Sequence, residues 1–299
     1  MIFKRKVGVA LGGGGARGAA HIGVLEHLTS IGLDIHCLSG TSAGAIIATL
    51  YAFGVDFETM KRELKQVNPT PFASFKIGKL GLFENTEMIN MLERLLPPNA
   101  KIEDAKIPLT IKATDLITGE SVLLSHGNVI EAVMASSCVP GFYLPIEKDN
   151  MILVDGGLTE NVPLSGLKFH GANLLIGVNL SGNTTYNKPT GILDVVSNAM
   201  DIAIDVRTRR QLKQADISIS IDLTEYSRTS ARDFDQLVTR GQLAAQLKVP
   251  NLASMYMANR FMKTWKLVKE ITPIKVPESI QKVFRKRDDK EKIPKSLTP

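Results

Sequence analysis

The pentapeptide Gly40-Thr41-Ser42-Ala43-Gly44 separates two apolar segments of the chain. Residues 35–38 before it predict a buried strand, and residues 45–53 after it predict a helix. A serine with glycines two positions before and two positions after, at a sharp turn from strand to helix, is the arrangement of a nucleophile elbow. The serine backbone is strained there, and a side chain at either glycine would collide with the neighbouring strand and helix. The same pattern also serves close packing alone, so the pentapeptide does not decide between catalysis and packing.

A second glycine-rich turn follows the first predicted strand, residues 6–11, and precedes a predicted helix over 19–30. Its residues match the dinucleotide-binding spacing G-x-G-x-x-G, but the nearest acid, Asp34, comes at the start of the second strand rather than at its end. A phosphate-binding P-loop would end in Gly-Lys-Ser/Thr, which is absent. Backbone N–H groups at a helix N-terminus still form an anion cradle. The residues of this turn are Gly13, Gly14, Gly15, Ala16, Arg17 and Gly18.

The two glycine-rich turns are expected at the same edge of one sheet. The first two strands are predicted to be adjacent and parallel through a right-handed crossover, so both turns leave at the carboxyl ends of the strands. If Ser42 is a nucleophile, the anion in the cradle is a tetrahedral oxyanion. Arg17 either stabilises the loop or adds positive potential, or it is a solvated loop arginine.

A third feature, Asp155-Gly156-Gly157, follows the apolar run 151–154. Asp155 is either a turn former or a carboxylate held where a substrate or another backbone approaches closely. Of the five histidines, only His170 follows Asp155 in the chain, and it lies at a predicted helix end that leads away from the catalytic edge. Direct pairing of Ser42 with Asp155 therefore remains, and it requires a site that strengthens the carboxylate as a base by removing water.

Alternating strands and helices predict a three-layer α/β/α fold with a mainly parallel central sheet. A hairpin is expected over 108–124, and the apolar segment 72–83 is interpreted as a packed loop in preference to a mobile cap. The remaining predicted strands are 174–180 and 216–223, and the remaining predicted helices are 56–67, 86–96, 128–137, 192–214, 230–247, 252–270 and a short one opened by Pro163.

The composition of the 299-residue chain is 44% hydrophobic and 22% charged, which is typical of a globular protein. There is no run of about 18 apolar residues and no signal-peptide pattern, so we expect cytoplasmic residence. Cys37 and Cys138 are expected to be buried and reduced, and no Cys/His spacing indicates a metal. The net charge of +6 comes mostly from the end of the chain. We predict one domain over 1–272 and a basic tail over 273–299.

The ordered set of Gly13–Gly18, Gly40–Gly44 and Asp155–Gly157 resembles the patatin-like phospholipase family, and its small bacterial members in particular. Residues 135–145 also look like the family pattern, and the resemblance covers about 6–182. It implies that Ser42 is the nucleophile, Asp155 the general base and Gly13–Gly18 the oxyanion hole. The turn glycines are Gly40, Gly44, Gly156 and Gly157. Members of the family cleave fatty acyl esters of phospholipids or lysophospholipids, usually without a cofactor, so a lipid substrate is expected.

Two other hypotheses belong to different classes of function. In the first hypothesis, the chain is a regulatory protein that binds a nucleotide or an acyl carrier and has a vestigial elbow. In the other the basic tail recruits the chain to an anionic membrane or to nucleic acid. The basic tail is either a solvated charge run, which is the usual reading of such a segment, or a peripheral contact with an anionic membrane, and no nucleic acid partner is expected.

Overall fold

A computed structural model describes residues 5–67, 86–182, 186, 188–228, 230 and 232–251. The segment 72–83, the predicted helix 252–270 and the predicted tail 273–299 lie outside these residues. None of the described helices is both long and apolar enough to span a bilayer.

The described residues form one central sheet flanked by helices. Its strands are β1 (Val7–Leu11), β2 (Ile35–Gly40), β3 (Leu109–Asp115), β4 (Ser121–Leu124), β5 (Ile146–Lys148), β6 (Met151–Asp155), β7 (Leu174–Asn179) and β8 (Ile217–Ser220). The α-helices are α1 (Ala20–Ser30), α2 (Ala43–Ala52), α3 (Phe57–Gln66), α4 (Thr86–Leu95), α5 (Val129–Ser137), α6 (Gly157–Glu160), α7 (Leu164–Phe169), α8 (Ile192–Leu212) and α9 (Phe234–Lys248). Two 3-10 turns span Gly15–Ala19 and Ile102–Asp104.

The strand order is β5-β6-β3-β2-β1-β7-β8, with β4 also paired to β3. The run from β3 to β8 is parallel, whereas β4, β5 and β6 join by antiparallel pairing. The predicted mainly parallel sheet, the adjacency of β1 and β2 and the hairpin of β3 with β4 are confirmed. The strand β5 and the helix α6 were not predicted, because three or four residues are too few to show a periodic pattern.

Side chains on the two faces of β1 enter two different cores. Val9 and Leu11 pack in the large core with helices α1, α2 and α9, whereas Ala10 packs in a smaller core with Leu164 and Leu167 of α7. Successive side chains of a strand point to opposite faces, so helices cover the sheet on both sides. The predicted three-layer α/β/α fold is confirmed.

The strand register brings the functional segments to one place. Leu11 pairs with Gly40 in the parallel β1–β2 ladder, so the loops after β1 and β2 leave the sheet side by side. Gly40 pairs with Ile111 on β3, and Asp155 pairs with Ala113, the next residue but one on that strand. The end of β6 therefore lies level with the turn that follows β2.

Candidate active site

Ser42 lies between β2 and α2 in a backbone conformation that L-residues rarely adopt, with φ 52° and ψ −125°. Glycine is needed on both sides because the chain turns back on itself. A Cβ built on Gly40 would lie 2.5 Å from the Cα of Ala45, and one on Gly44 would lie 2.7 Å from the carbonyl oxygen of Gly12. Such contacts are too short for real atoms, so the elbow accepts only glycine at both positions.

Ser136 at the end of α5 fixes the backbone of the elbow. The Ser42 amide donates a hydrogen bond to Ser136 Oγ at 2.8 Å, and that hydroxyl donates to the Lys112 carbonyl of β3 at 2.6 Å. Because all of these groups are buried, the strained turn is held to the sheet by two hydrogen bonds that are shielded from water.

Asp155 lies at the end of β6 with its carboxylate against the elbow. The Ser42 side chain lies against this carboxylate and lowers its pKa, and the Gly157 amide donates to Oδ1 at 2.7 Å. Burial raises the pKa of Asp155 from 3.8 to about 6, although the Gly157 hydrogen bond and the Ser42 side chain oppose the shift. The carboxylate is therefore a stronger base than an exposed aspartate, as pairing with a serine requires.

The amides of the glycine-rich turn are not all free to bind a ligand. Gly13 N–H donates to Asn161 Oδ1 at 3.0 Å, and Ala16 N–H donates to the Arg228 carbonyl at 2.8 Å. In the described part of the chain, the amides of Gly14 and Gly15 have no hydrogen-bond acceptor. Gly14 precedes the 3-10 turn and Gly15 is its first residue, so helix-type hydrogen bonds are not available to these two amides.

The loop is also packed directly on the elbow. A Cβ on Gly18 would lie 2.6 Å from the Cβ of Ala43, so the loop and the start of α2 are in close contact. The Arg17 side chain points elsewhere, because its Nε and one terminal nitrogen donate to the Tyr226 carbonyl at 2.9 and 2.7 Å. Burial lowers the pKa of Arg17 to about 10, with Arg228 as a second cause. Arg17 therefore stabilises the loop and is not a solvated side chain.

One cavity of about 270 Å³ contains the Ser42 and Asp155 side chains together with the glycine-rich turn. Its wall is amphipathic. Apolar residues from several helices and from the loop after α5 form one part, among them Ile46, Ile47, Met88, Phe142, Tyr143 and Phe234. Asp201, Asp205, Ser181 and Arg228 form a polar part, where Arg228 pairs with Asp201. Such a cavity suits a molecule that has one apolar and one polar end.

Comparison with known proteins assigns the fold to a family. The family model described as patatin-like phospholipase matches residues 9–168, which is more than half of the chain. The chain belongs to the patatin-like phospholipase family. The three glycine-rich motifs on which the resemblance rests all lie within the matched residues.

Among curated relatives of this patatin-like chain, an uncharacterized NTE family protein of Mycobacterium tuberculosis is 35% identical over 60% of the chain. Lysophospholipase nte1 of Emericella nidulans is 28% identical over 66% of the chain and 13% of its own length. The chain spans about half the length of the mycobacterial relatives that it matches. Among solved structures, VipD from Legionella pneumophila has a TM-score of 0.46 and 16% identity, covering 81% of this chain and 66% of VipD.

None of the described residues that line the cavity around Ser42 is a histidine. His170 follows α7, away from the elbow, as the sequence predicted. His21 is buried with Nε2 at 2.7 Å from the Gly12 carbonyl oxygen, and burial lowers its pKa to about 4. It is therefore neutral at physiological pH and occupied by a backbone contact. Among the described residues that line the cavity, Asp155 is the carboxylate whose pKa the Ser42 side chain lowers.

The two thiols are the remaining reactive groups. Cys37 and Cys138 are buried, and burial raises the pKa of each to about 12, so neither is ionised near neutral pH. Over the residues that the structure describes, no group of three His, Cys, Asp or Glu side chains is arranged to hold a metal ion.

Sequence reasoning did not assign roles to Ser136, Asn161 or Arg228. Each contacts the elbow or the glycine-rich turn from a distant part of the chain. Ser136 lies within the stretch 135–145 that resembles the family, which is the only sequence signal that pointed towards any of them.

Proposed function

We propose that this protein is a serine acyl hydrolase that cleaves fatty acyl esters of phospholipids or lysophospholipids. One observation carries the proposal: Ser42, on a strained elbow, lies against the buried Asp155 carboxylate inside an amphipathic cavity. A strained turn held by buried hydrogen bonds is costly, and such strain is concentrated at functional sites.

In the first half of the reaction, Asp155 accepts the Ser42 proton while Ser42 Oγ attacks the ester carbonyl carbon. The carbonyl oxygen becomes an oxyanion, which the amides of Gly14 and Gly15 stabilise. One donor of this kind is typically worth about 3 kcal/mol. The carbon–oxygen bond to the alcohol then breaks, and protonated Asp155 returns its proton to the leaving oxygen. The products of this half are the free alcohol and an acyl ester of Ser42.

In the second half, Asp155 takes a proton from water, and the resulting hydroxyl attacks the acyl carbonyl. The oxyanion forms in the same place, and the bond to Ser42 Oγ breaks. The proton on Asp155 returns to Ser42, and the free fatty acid leaves. A base with a pKa of about 6 serves both halves, because it is ionised at neutral pH and is still basic enough to accept a proton.

The cavity supports the choice of substrate class. Its apolar wall fits a fatty acyl chain, and its polar part fits the head group of a lipid. The name of the Emericella nidulans relative, lysophospholipase nte1, agrees with this class. The proposal also includes contact of the basic residues after 273 with an anionic membrane surface, on the cytoplasmic side.

The proposal is tested with purified protein on phospholipids and lysophospholipids, with fatty acid release and labelling by a fluorophosphonate as readouts. Ser42→Ala and Asp155→Asn are each expected to abolish release, and Ser42→Ala is expected to abolish labelling. Ser125→Ala is the matched control, because the Ser125 hydroxyl contacts His126 Nδ1 at 2.8 Å outside the cavity. This control variant is expected to keep full activity.

Two results would redirect the proposal. Absence of fluorophosphonate labelling, combined with thermal stabilisation by a nucleotide, would favour a regulatory protein with a vestigial elbow. Liposome sedimentation with and without the residues after 273 tests membrane contact, and unchanged sedimentation after truncation would remove the tail from the proposal.

A further inference from the structure

The side-chain amide of Asn161 is a polar group of the cavity that has no role in the mechanism above. Asn161 follows α6 directly, is 5% exposed and lines the same cavity as Ser42 and Asp155. A buried amide has hydrogen-bonding capacity on both its oxygen and its nitrogen, so each of the two atoms favours a partner of its own.

The oxygen of this amide has a partner. Gly13 N–H donates to Asn161 Oδ1 at 3.0 Å. The reversed orientation would place the NH₂ group against another N–H group, which is repulsive, so this contact determines which end of the amide faces the loop. The Nδ2 group must then point along the other branch of the planar amide.

The nitrogen has no protein partner. Over the described residues, Nδ2 has no hydrogen-bond acceptor, and it is not among the buried polar atoms that are sealed from solvent without a partner. Because Asn161 is otherwise buried and lines the cavity, its NH₂ group is accessible from the cavity.

The position of this amide is close to both reacting side chains. A Cβ on Gly13 would lie 2.9 Å from Asn161 Oδ1 and 3.1 Å from Ser42 Cβ. A Cβ on Gly157 would lie 3.0 Å from Asp155 Oδ1 and 3.3 Å from Asn161 Oδ1. The Asn161 amide is therefore next to the elbow and next to the carboxylate.

We infer that Asn161 is a further catalytic residue, whose Nδ2 donates a hydrogen bond to the oxygen of the substrate carbonyl as it becomes an oxyanion. It acts together with the amides of Gly14 and Gly15. The hydrogen bond from Gly13 to Oδ1 holds the side-chain donor in register with the backbone donors, so the three are pre-organised on one rigid unit. This inference rests on the proposed acyl hydrolase function.

Asn161→Asp removes the N–H donor and keeps the oxygen that accepts from Gly13. The carboxylate keeps an oxygen for Gly13 N–H and has nearly the same shape, but it has no N–H group. We expect kcat to fall by about 100-fold or more, as for loss of one oxyanion donor, with a much smaller change in KM. Asn161→Ala, which loses both donor and tether, is expected to lose at least as much. Because a new carboxylate near Asp155 raises the pKa of that base, kcat is compared on the high-pH plateau of each profile.

Asn128→Asp is the matched control. Asn128 caps α5 through Oδ1, a position where aspartate serves equally well, and it lies outside the cavity. This variant is expected to keep the wild-type kcat. If Asn161→Asp does not fold, the affinity of Asn161→Ala for a fatty acyl trifluoromethyl ketone replaces it, and this affinity is expected to fall far more than affinity for the fatty acid product.

The outcomes are distinct. A kcat of Asn161→Asp within about threefold of wild type, or equal losses of affinity for the ketone and the fatty acid, overturns the inference while the acyl hydrolase function stands. If the wild-type protein shows no hydrolysis that depends on Ser42, the proposed function fails and the inference fails with it.

Discussion

Replacement of Asp155 by asparagine is expected to stabilise the fold at neutral pH while it abolishes hydrolysis. Burial raises the pKa of this carboxyl from 3.8 to about 6. At neutral pH the charged carboxylate is therefore less stable in the folded protein than in the unfolded chain, where water solvates it. A difference of about two pKa units corresponds to about 3 kcal/mol of folding free energy. Asparagine is neutral at every pH and keeps an oxygen for the Gly157 amide.

The dependence on pH follows from the direction of the shift. Asp155 loses its proton near pH 3.8 in the unfolded chain and near pH 6 in the folded one. The folded chain therefore holds this proton more tightly, and the contribution of Asp155 favours folding most at low pH. That contribution decreases as the pH rises from about 4 to about 6 and stays low above it. Activity has the opposite dependence, because the base is ionised only above about pH 6.

Urea unfolding of the wild type and of Asp155→Asn at pH 4 and pH 8 measures this effect. The variant is expected to be more stable by up to about 3 kcal/mol at pH 8, with a difference of less than about 1 kcal/mol at pH 4. Asp56→Asn is a useful control, because the Thr59 amide lowers the pKa of exposed Asp56, so its pH dependence has the opposite sign. A variant of Asp155 that is no more stable than wild type at pH 8 would refute the reasoning.

Three further predictions concern the surroundings of the elbow. Ser136→Ala leaves the Ser42 amide buried without an acceptor, so we expect a loss of about 1–3 kcal/mol in urea unfolding and a reduced kcat; unchanged values for both would contradict this. Gly44→Ala places a methyl group on backbone atoms, so we expect circular dichroism to show little folded protein, and a folded, active variant would disprove the packing argument. Cys37 and Cys138 are expected to react with a thiol reagent only after unfolding, and rapid labelling of native protein would show that they are not buried as described.

The residue types of the elbow and of the turn that contains Asp155 could be read from the chain, because their constraints are local. Gly40 and Gly44 flank Ser42 at a fixed spacing, and the apolar run before Asp155 marks a strand that ends at a turn. Most strands and helices were also predicted, since their apolar periods extend over enough residues to be counted. The short elements β5 and α6 were missed for the opposite reason.

The sequence does not show which amides of the glycine-rich turn are free to bind a ligand. By sequence alone, every residue of Gly13–Gly18 is an equal candidate to bind an oxyanion. Only the fold shows that the Gly13 amide donates to Asn161 and that the Ala16 amide donates to the Arg228 carbonyl. Similarly, the sequence allowed Arg17 either to stabilise the loop, to add positive potential or to be solvated. Its hydrogen bonds to the Tyr226 carbonyl, far away in the chain, show that it stabilises the loop.

The sequence by itself determined which residues can carry the chemistry, because backbone strain, chain reversal and strand burial depend on neighbours in the chain. Tertiary structure alone decided which of those groups are available and how strong a base Asp155 is. A hydrogen-bond donor has one partner at a time, and a pKa depends on the water excluded by every surrounding segment. Both properties depend on residues that are far apart in the chain and that meet only when the sheet has formed.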